Sequence, residues 1–259
     1  MRRTFFTLLL VTVFSVVFAQ TKNYKDYTIS YGAAKGEMQL SFAIDTFKIA
    51  DVEFNGVKYS TIQFSNGVNT SKKGFAELPM LNATLQLNND NDVQIAIEEG
   101  KYIDIKLKNP MLPSRGTIYR QQDPKSIPYV ISSESKVNAW YPENIAESAE
   151  PFIFRDTRGV NVYAYPFRYN AVTNTLRVYK SFKVIVKEDK SKSTNPLINK
   201  PSYVDPTIND AYKSLYINYS DTKFTNQLGE FGEMLVIYTS RDASVIQPYI
   251  DWKRQKGFT

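Results

Sequence analysis

A chain of 259 residues that is 42% hydrophobic and 14% aromatic can bury one or two proper cores and lies outside the compositional range of disordered tails. It contains neither cysteine nor histidine, which excludes disulfide frameworks, thiol nucleophiles, Ser-His-Asp and Cys-His arrangements and the usual zinc-water hydrolases. The formal charge is +6, and Arg2 and Arg3 fall in an acid-free leader, so 6 − 2 = +4 remains, scattered among acids as on a solvated surface rather than as a nucleic-acid stripe.

Arg2 and Arg3 precede the apolar run Phe5 to Phe18, and Val17, Ala19 and Gln20 supply small flanks for cleavage between Ala19 and Gln20. The run is shorter than the roughly 20 residues of a membrane span, so residues 1–19 read as a secretory signal peptide. No later segment is continuously apolar and the chain has no lipobox cysteine, which predicts an exported or cell-surface product without a stable membrane anchor.

From Gln39 to Val186 the hydrophobic period is mostly two, as in strands with one buried and one wet face. Asn55-Gly56 predicts a hairpin between Val52–Phe54 and Val57–Tyr59. Leu81, Ala83, Leu85 and Leu87 alternate, turn through Asn88 to Asp92, and alternate back through Val93, Ile95 and Ile97, which predicts a second hairpin. Ile103, Ile105 and Leu107 follow Gly100. Arg158-Gly159 separates Phe152 to Phe154 from Val160 and Val162, and Phe182, Val184 and Val186 close the series. Many short strands at this spacing predict a mainly β fold, a sandwich or jelly roll, over residues 20–190.

Residues 191–230 read as a linker and docking segment: Glu188 to Asn199 is rich in Lys, Ser, Thr and Asn, while Ile208, Tyr212, Leu215, Tyr216 and Tyr219 recur at helical spacing after Asp205-Pro206. In residues 231–259, Met234 to Tyr238 is apolar without alternation, the mark of a strand buried on both faces. A helix follows, capped by Asp242 with Val245, Ile246, Tyr249, Ile250 and Trp252 on its apolar face, Pro248 inside and Gly257 at its end. One strand and one helix cannot cover such a sheet, so this stretch reads as the truncated start of an α/β domain.

Several motifs carry less than they suggest. Asp90 and Asp92 lack the glycine and glutamate of a calcium loop, whose sixth and twelfth places here are Ile95 and Lys101. Arg155, Asp156 and Arg158 read as a structural turn in which Asp156 pairs with an arginine, and Tyr163, Tyr165, Phe167 and Tyr169 as core aromatics.

NPMLPSRGTIYRQQDPKSIPY at Asn109 to Tyr129 resembles a segment of the propeptide of the gingipain-type (family C25) cysteine peptidases. The resemblance continues through GFAELPMLNATLQL at Gly74 to Leu87, WYPENI at Trp140 to Ile145, the stretch Glu150 to Tyr179, and AYKSLYINY at Ala211 to Tyr219. MLVIYTSRDASVIQPYIDWKRQKG at Met234 to Gly257 is similar to the opening strand and helix of that family's catalytic domain.

The resemblance implies a propeptide that inhibits and chaperones a secreted cysteine endopeptidase, with the cognate catalytic domain as partner. It also implies a basic loop residue in the pocket that recognises the residue before the scissile bond. Arg120 occupies the matching position, with Arg115 and Lys125 as weaker candidates. A guanidinium there would pair bidentately with a pocket carboxylate. The family's catalytic histidine and cysteine have no counterpart in this stretch, so no catalytic residue, metal site or cofactor is expected in it and the chain should itself be inactive. Activation is expected to cut the polar stretch near Lys223. A free-standing secreted β-sandwich inhibitor, or a processing component of a secretion system, are the alternatives.

Overall fold

The computed structural model of the protein describes residues 18–34, 37–65, 67–88, 90–191, 193–198, 206–219 and 233–258. The strands run β1 (Phe18–Asn23), β2 (Tyr27–Ala34), β3 (Glu37–Ile44), β4 (Lys48–Phe54), β5 (Val57–Gln63), β6 (Val68–Asn69), β7 (Pro79–Leu87) and β8 (Asp92–Glu99). They continue through β9 (Tyr102–Lys106), β10 (Ala146–Ser148), β11 (Phe152–Phe154), β12 (Thr157–Ala164), β13 (Phe167–Asn170), β14 (Thr175–Tyr179) and β15 (Ser181–Asp189). Helices α1 (Pro206–Leu215) and α2 (Ala243–Gln255) follow.

The named strands pair antiparallel in four sheets, ordered β1-β2-β3-β15-β8, β10-β12-β7-β6 with β11 also on β12, β13-β14-β9, and β4-β5. The mainly β class expected from the alternating pattern is thus the observed one. Its inward residues, among them Leu40, Phe42, Leu81, Leu85, Val160, Val162, Leu176, Val178, Phe182 and Val184, form a single buried cluster. Each such aliphatic or aromatic side chain contributes roughly 1.5–3 kcal/mol by leaving water. In β15 this holds Phe182, Val184 and Val186 inside while Lys183 and Lys187 face solvent.

Asn55 and Gly56, both at positive φ, make the two-residue turn between β4 and β5 that the sequence predicts. The second predicted hairpin does not form: β7 pairs with β12 and β8 with β15, so Leu87 to Asp92 crosses between sheets. Alternation specifies which face of a strand is buried and leaves its partner open. The turn at the β11–β12 hairpin falls on Arg155-Asp156, with Phe154 opposite Thr157, which places Arg158 and Gly159 inside the strand.

Glu233 to Thr239 pairs with no described strand, and Leu235 and Ile237 are 86% and 87% exposed. The two-faced burial expected of Met234 to Tyr238 is therefore not satisfied within the described residues. Helix α2 follows as expected, but Asp242 accepts from the Thr239 hydroxyl at 2.6 Å instead of capping helix amides. No helix among the described residues is long and apolar enough to cross a membrane.

Candidate functional site

The stretch carrying Arg115, Arg120 and Lys125 leaves the body at Ser114 and returns at Ser132. Both feet are held by one residue: the Gly74 amide donates to the Ser114 carbonyl (2.8 Å), and the Gly74 carbonyl accepts from the Ser132 amide (3.0 Å). Ser114 also donates to the Phe75 carbonyl at 2.7 Å, and just before it the Leu112 amide donates to the Ser60 carbonyl at 2.9 Å. Gly74 sits at φ +79°, and a β-carbon on it would lie 2.6 Å from Ser132 Cβ, so only glycine fits this junction.

Within the loop, the Gln122 amide donates to the Tyr119 carbonyl and the Tyr119 amide donates to Gln122 Oε1, both at 2.9 Å. This closes a β-turn with Arg120 and Gln121 at its corners. Arg120 is exposed, and its guanidinium has no hydrogen-bond or ion-pair partner among the described residues.

Arg115 is placed differently. It donates through Nη1 to the Pro124 carbonyl and lies 4.5 Å over the Tyr129 ring, which packs at 4.4 Å on Phe54 at the tip of the β4–β5 hairpin. Lys125 sits in the 3-10 turn Pro124–Ser126, whose entry is capped by Asp123. It lines a cleft of about 400 Å³ with Arg115, Phe54 and Tyr129 at the side of the loop. The structure thus separates three arginine and lysine candidates that sequence spacing leaves adjacent: one is spent on internal contacts, one lies at the flank, and one stands free at a turn corner. Gly74, Phe54, Gln122 and Tyr129 were not singled out from sequence. Gly74, Phe54 and Tyr129 meet their partners through long-range packing, which is invisible to local patterns, whereas Gln122 acts on Tyr119 three residues away and carries no turn signature of its own.

A second built feature holds the segment 206–219 to the sandwich. Tyr212, Tyr216 and Tyr219 are buried against Phe152 and Phe154, the Tyr216 hydroxyl lies 2.8 Å from Thr157 Oγ1, and Asn218 makes amide-like bonds to the Gln86 backbone at 2.7 and 2.9 Å. Gly159 leaves the space, since a β-carbon there would stand 2.5 Å from the Tyr216 ring. Gln20 Nε2 donates to the Tyr219 carbonyl at 2.8 Å, so the strand containing Ala19 and Gln20 meets the end of this segment. Lys223 and the leader up to Val17 lie outside the described residues.

Asp156 accepts from the Tyr212 hydroxyl, and Arg158 pairs with Asp92, so the expected pairing of Asp156 with an arginine is corrected. Arg158 is fully buried and also donates to the carbonyls of Asn88, Asn91, Thr194 and Asn195. It ties the β7–β8 crossing to the backbone at Thr194 and Asn195. The Asp92 carboxyl is held below its ordinary range, first by hydrogen bonds from the Thr194 hydroxyl and amide and then by Arg158. Tyr165, Phe167 and Tyr169 are buried, and Tyr163 is half-buried. Among the described residues no group of three or more acidic side chains is placed to hold a metal ion.

The profile of the Propeptide_C25 family matches residues 16–225, which places the chain in the class of peptidase propeptides. Gingipain R1 of Porphyromonas gingivalis is 33% identical to it over 221 residues, 85% of this chain and 22% of the relative. The chain belongs to the gingipain-type C25 propeptide family, and it spans about a fifth of that relative's length. Its fold matches a chain of the solved complex of Porphyromonas gingivalis RgpB pro- and mature domains with a TM-score of 0.63 and 30% identity, over 74% of this chain and 98% of that one. A structure concerned with the zymogenic latency of gingipain K shares the fold, with a TM-score of 0.53 at 15% identity over 60% of this chain and 88% of that one.

Proposed function

We propose that the chain is the amino-terminal part of an exported gingipain-type zymogen, whose β module keeps a cysteine endopeptidase latent and templates its folding. Arg120 fills the pocket that recognises the residue before the scissile bond. The observation that carries this reading is the contrast on one loop: Arg120 stands unpaired at the corner of an anchored turn while Arg115 is turned back into the protein. A guanidinium presented this way forms a bidentate, orientation-specific pair with a carboxylate and needs no prior release from an internal partner. The solved complex of RgpB pro- and mature domains supports a mature catalytic domain as the partner.

In this reading residues 1–19 are removed on export, 20–190 form the inhibitory module, 191–230 link and dock, and 231–259 begin the peptidase domain. The apolar faces of Leu235, Ile237 and Val245 are exposed in the described residues, which suits a stretch whose burial is completed by further catalytic-domain sequence. Activation cuts the stretch near Lys223, beyond the docked segment. Amino-terminal sequencing of the mature product is expected to begin shortly after that point, and a start inside 20–190 would contradict it.

A structure of the chain bound to mature RgpB tests the central reading. The Arg120 guanidinium is expected within hydrogen-bond distance of a carboxylate in the cleft. Arg120 left in solvent, with another segment filling the cleft, would overturn it.

A further inference from the structure

Strand β1 meets the far end of the β module. We infer that Gln20 and Lys22 make β1 a clasp on the docked segment 206–219, and that amino-terminal trimming which removes Gln20 to Asn23 opens it. The inference takes the start of the module from the cut between Ala19 and Gln20 proposed above; the contacts themselves do not depend on it.

The grip is a bracket of two hydrogen bonds. Gln20 Nε2 donates to the Tyr219 carbonyl at 2.8 Å, and Lys22 Nζ donates to the Ser214 carbonyl at 2.9 Å. Side chains two apart on a strand project from the same face, so Gln20 and Lys22 reach the segment together. Thr21 between them donates instead to the Ser30 hydroxyl on β2 at 3.2 Å. Ser214 is the penultimate residue of α1, and the last carbonyls of a helix have no partner within it. An ammonium placed there satisfies one of them and lies at the negative pole of the helix dipole. Lys22 thus acts as a carboxyl-terminal cap delivered to the helix from another element.

The clasp is also the more removable side of the grip. Among the described residues β1 is the edge strand of its sheet, with β2 as its neighbour and a register shift between Phe18 and Gln20. Further fastenings of the segment come from β7: the Ile217 amide donates to the Thr84 carbonyl at 2.9 Å, and Asn218 bonds the Gln86 backbone. Strand β7 lies inside its sheet, between β12 and β6. An edge strand at a chain terminus is more open to a peptidase than a central strand. Trimming is hydrolysis by an external peptidase, one water for each bond cut, and it leaves a new amine on the module. Loss of Gln20 to Asn23 takes away both clasp bonds while those from β7 stay. In the latency reading, the segment that leads toward residues 231–259 thereby has a release point at the opposite end of the module.

The test compares the chain from Gln20 to Thr259 with one starting at Tyr24, and with Gln20→Ala, Lys22→Ala, Lys22→Arg and Thr21→Ala. Amide hydrogen exchange is followed by mass spectrometry in peptides from 206–219 and, as a reference, from β12. Exchange in 206–219 is expected to quicken about fivefold in Gln20→Ala, which loses a neutral hydrogen bond, and about tenfold or more in Lys22→Ala, which loses a charged one. The chain starting at Tyr24 should exchange faster than either, with β12 unchanged. Lys22→Arg keeps a cationic donor and is expected to stay close to wild type, as is Thr21→Ala.

Exchange in 206–219 as slow in the chain starting at Tyr24 as in the longer one would overturn the clasp. So would equal quickening in β12, which would make β1 a general stabiliser of the fold. A truncation effect that neither Gln20→Ala nor Lys22→Ala reproduces would overturn it too, since the side chains would then not be the grip. None of these measurements involves peptidase inhibition, so the clasp and the Arg120 reading fail separately.

Discussion

Gly74 holds Ser132 so closely that a β-carbon on the glycine would lie 2.6 Å from Ser132 Cβ and 2.8 Å from its amide nitrogen. The same glycine receives the outgoing foot of the Arg120 loop, so one backbone position fixes where both limbs start. Gly74→Ala combines a disfavoured positive φ with that clash and is expected to cost about 1–3 kcal/mol. Chemical denaturation measures the cost. Inhibition of mature RgpB should fall as well, because the loop root must shift even in molecules that remain folded.

Arg158 has no exposed surface and five hydrogen-bonded acceptors, of which only Asp92 is a side chain. Arg158→Ala takes the guanidinium donor from four backbone carbonyls, leaves Asp92 held by Thr194 alone and opens a void, and is expected to destabilise the fold by about 3–5 kcal/mol. Arg158→Lys should recover only part of this, since an ammonium cannot span the same fan of carbonyls. Urea unfolding of the two variants checks the order.

Stability should fall in acid for an identifiable reason. Thr194 and then Arg158 depress the Asp92 carboxyl, and Arg177 depresses that of Asp104. A carboxyl whose folded pKa lies below its unfolded value stabilises the fold at pH above the unfolded value, and loses that contribution as pH falls through the folded one. Unfolding midpoints are therefore expected to drop as pH falls below about 4. Asp92→Asn should be less stable at neutral pH and show a flatter acid limb; an unchanged limb would remove Asp92 from the account.

The segment 206–219 is held by side chains as much as by its covalent link. A nick at the exposed Lys190 is therefore expected to leave the carboxyl-terminal fragment bound to the sandwich, with the pieces co-eluting in gel filtration. Tyr216→Ala removes a buried ring and the Thr157 contact, at a cost of about 3–5 kcal/mol, and should release the nicked fragment.

What the sequence reveals follows the range of each interaction. Alternation over Leu81 to Leu87 and Phe182 to Val186 announces buried faces, and Asn55-Gly56 announces a turn, because both depend on near neighbours. The pairing of β7 with β12 instead of β8 is decided by contacts some 75 residues apart, as between Leu85 and Val160, and local patterns say nothing of it. The same holds at the loop. Arg120 is visible by resemblance, whereas its difference from Arg115 depends on Pro124, Tyr129 and Phe54 arriving from three directions. Arg158 reads as part of a structural turn, and only Asn88, Asn91 and Asp92 from one side and Thr194 and Asn195 from the other make it the most enclosed cation described.

The central claim is that Arg120, rather than its neighbours, makes the inhibitory contact, and initial inhibition constants against mature RgpB for Arg120→Ala, Arg115→Ala and Lys125→Ala test it most directly. Losing a buried charge pair costs upward of about 2 kcal/mol, so Arg120→Ala is expected to weaken inhibition by about 30-fold or more. The other two should stay within about fivefold of wild type at early times, as befits residues outside the pocket. Equal losses for all three, or a larger loss for Lys125→Ala, would contradict the account.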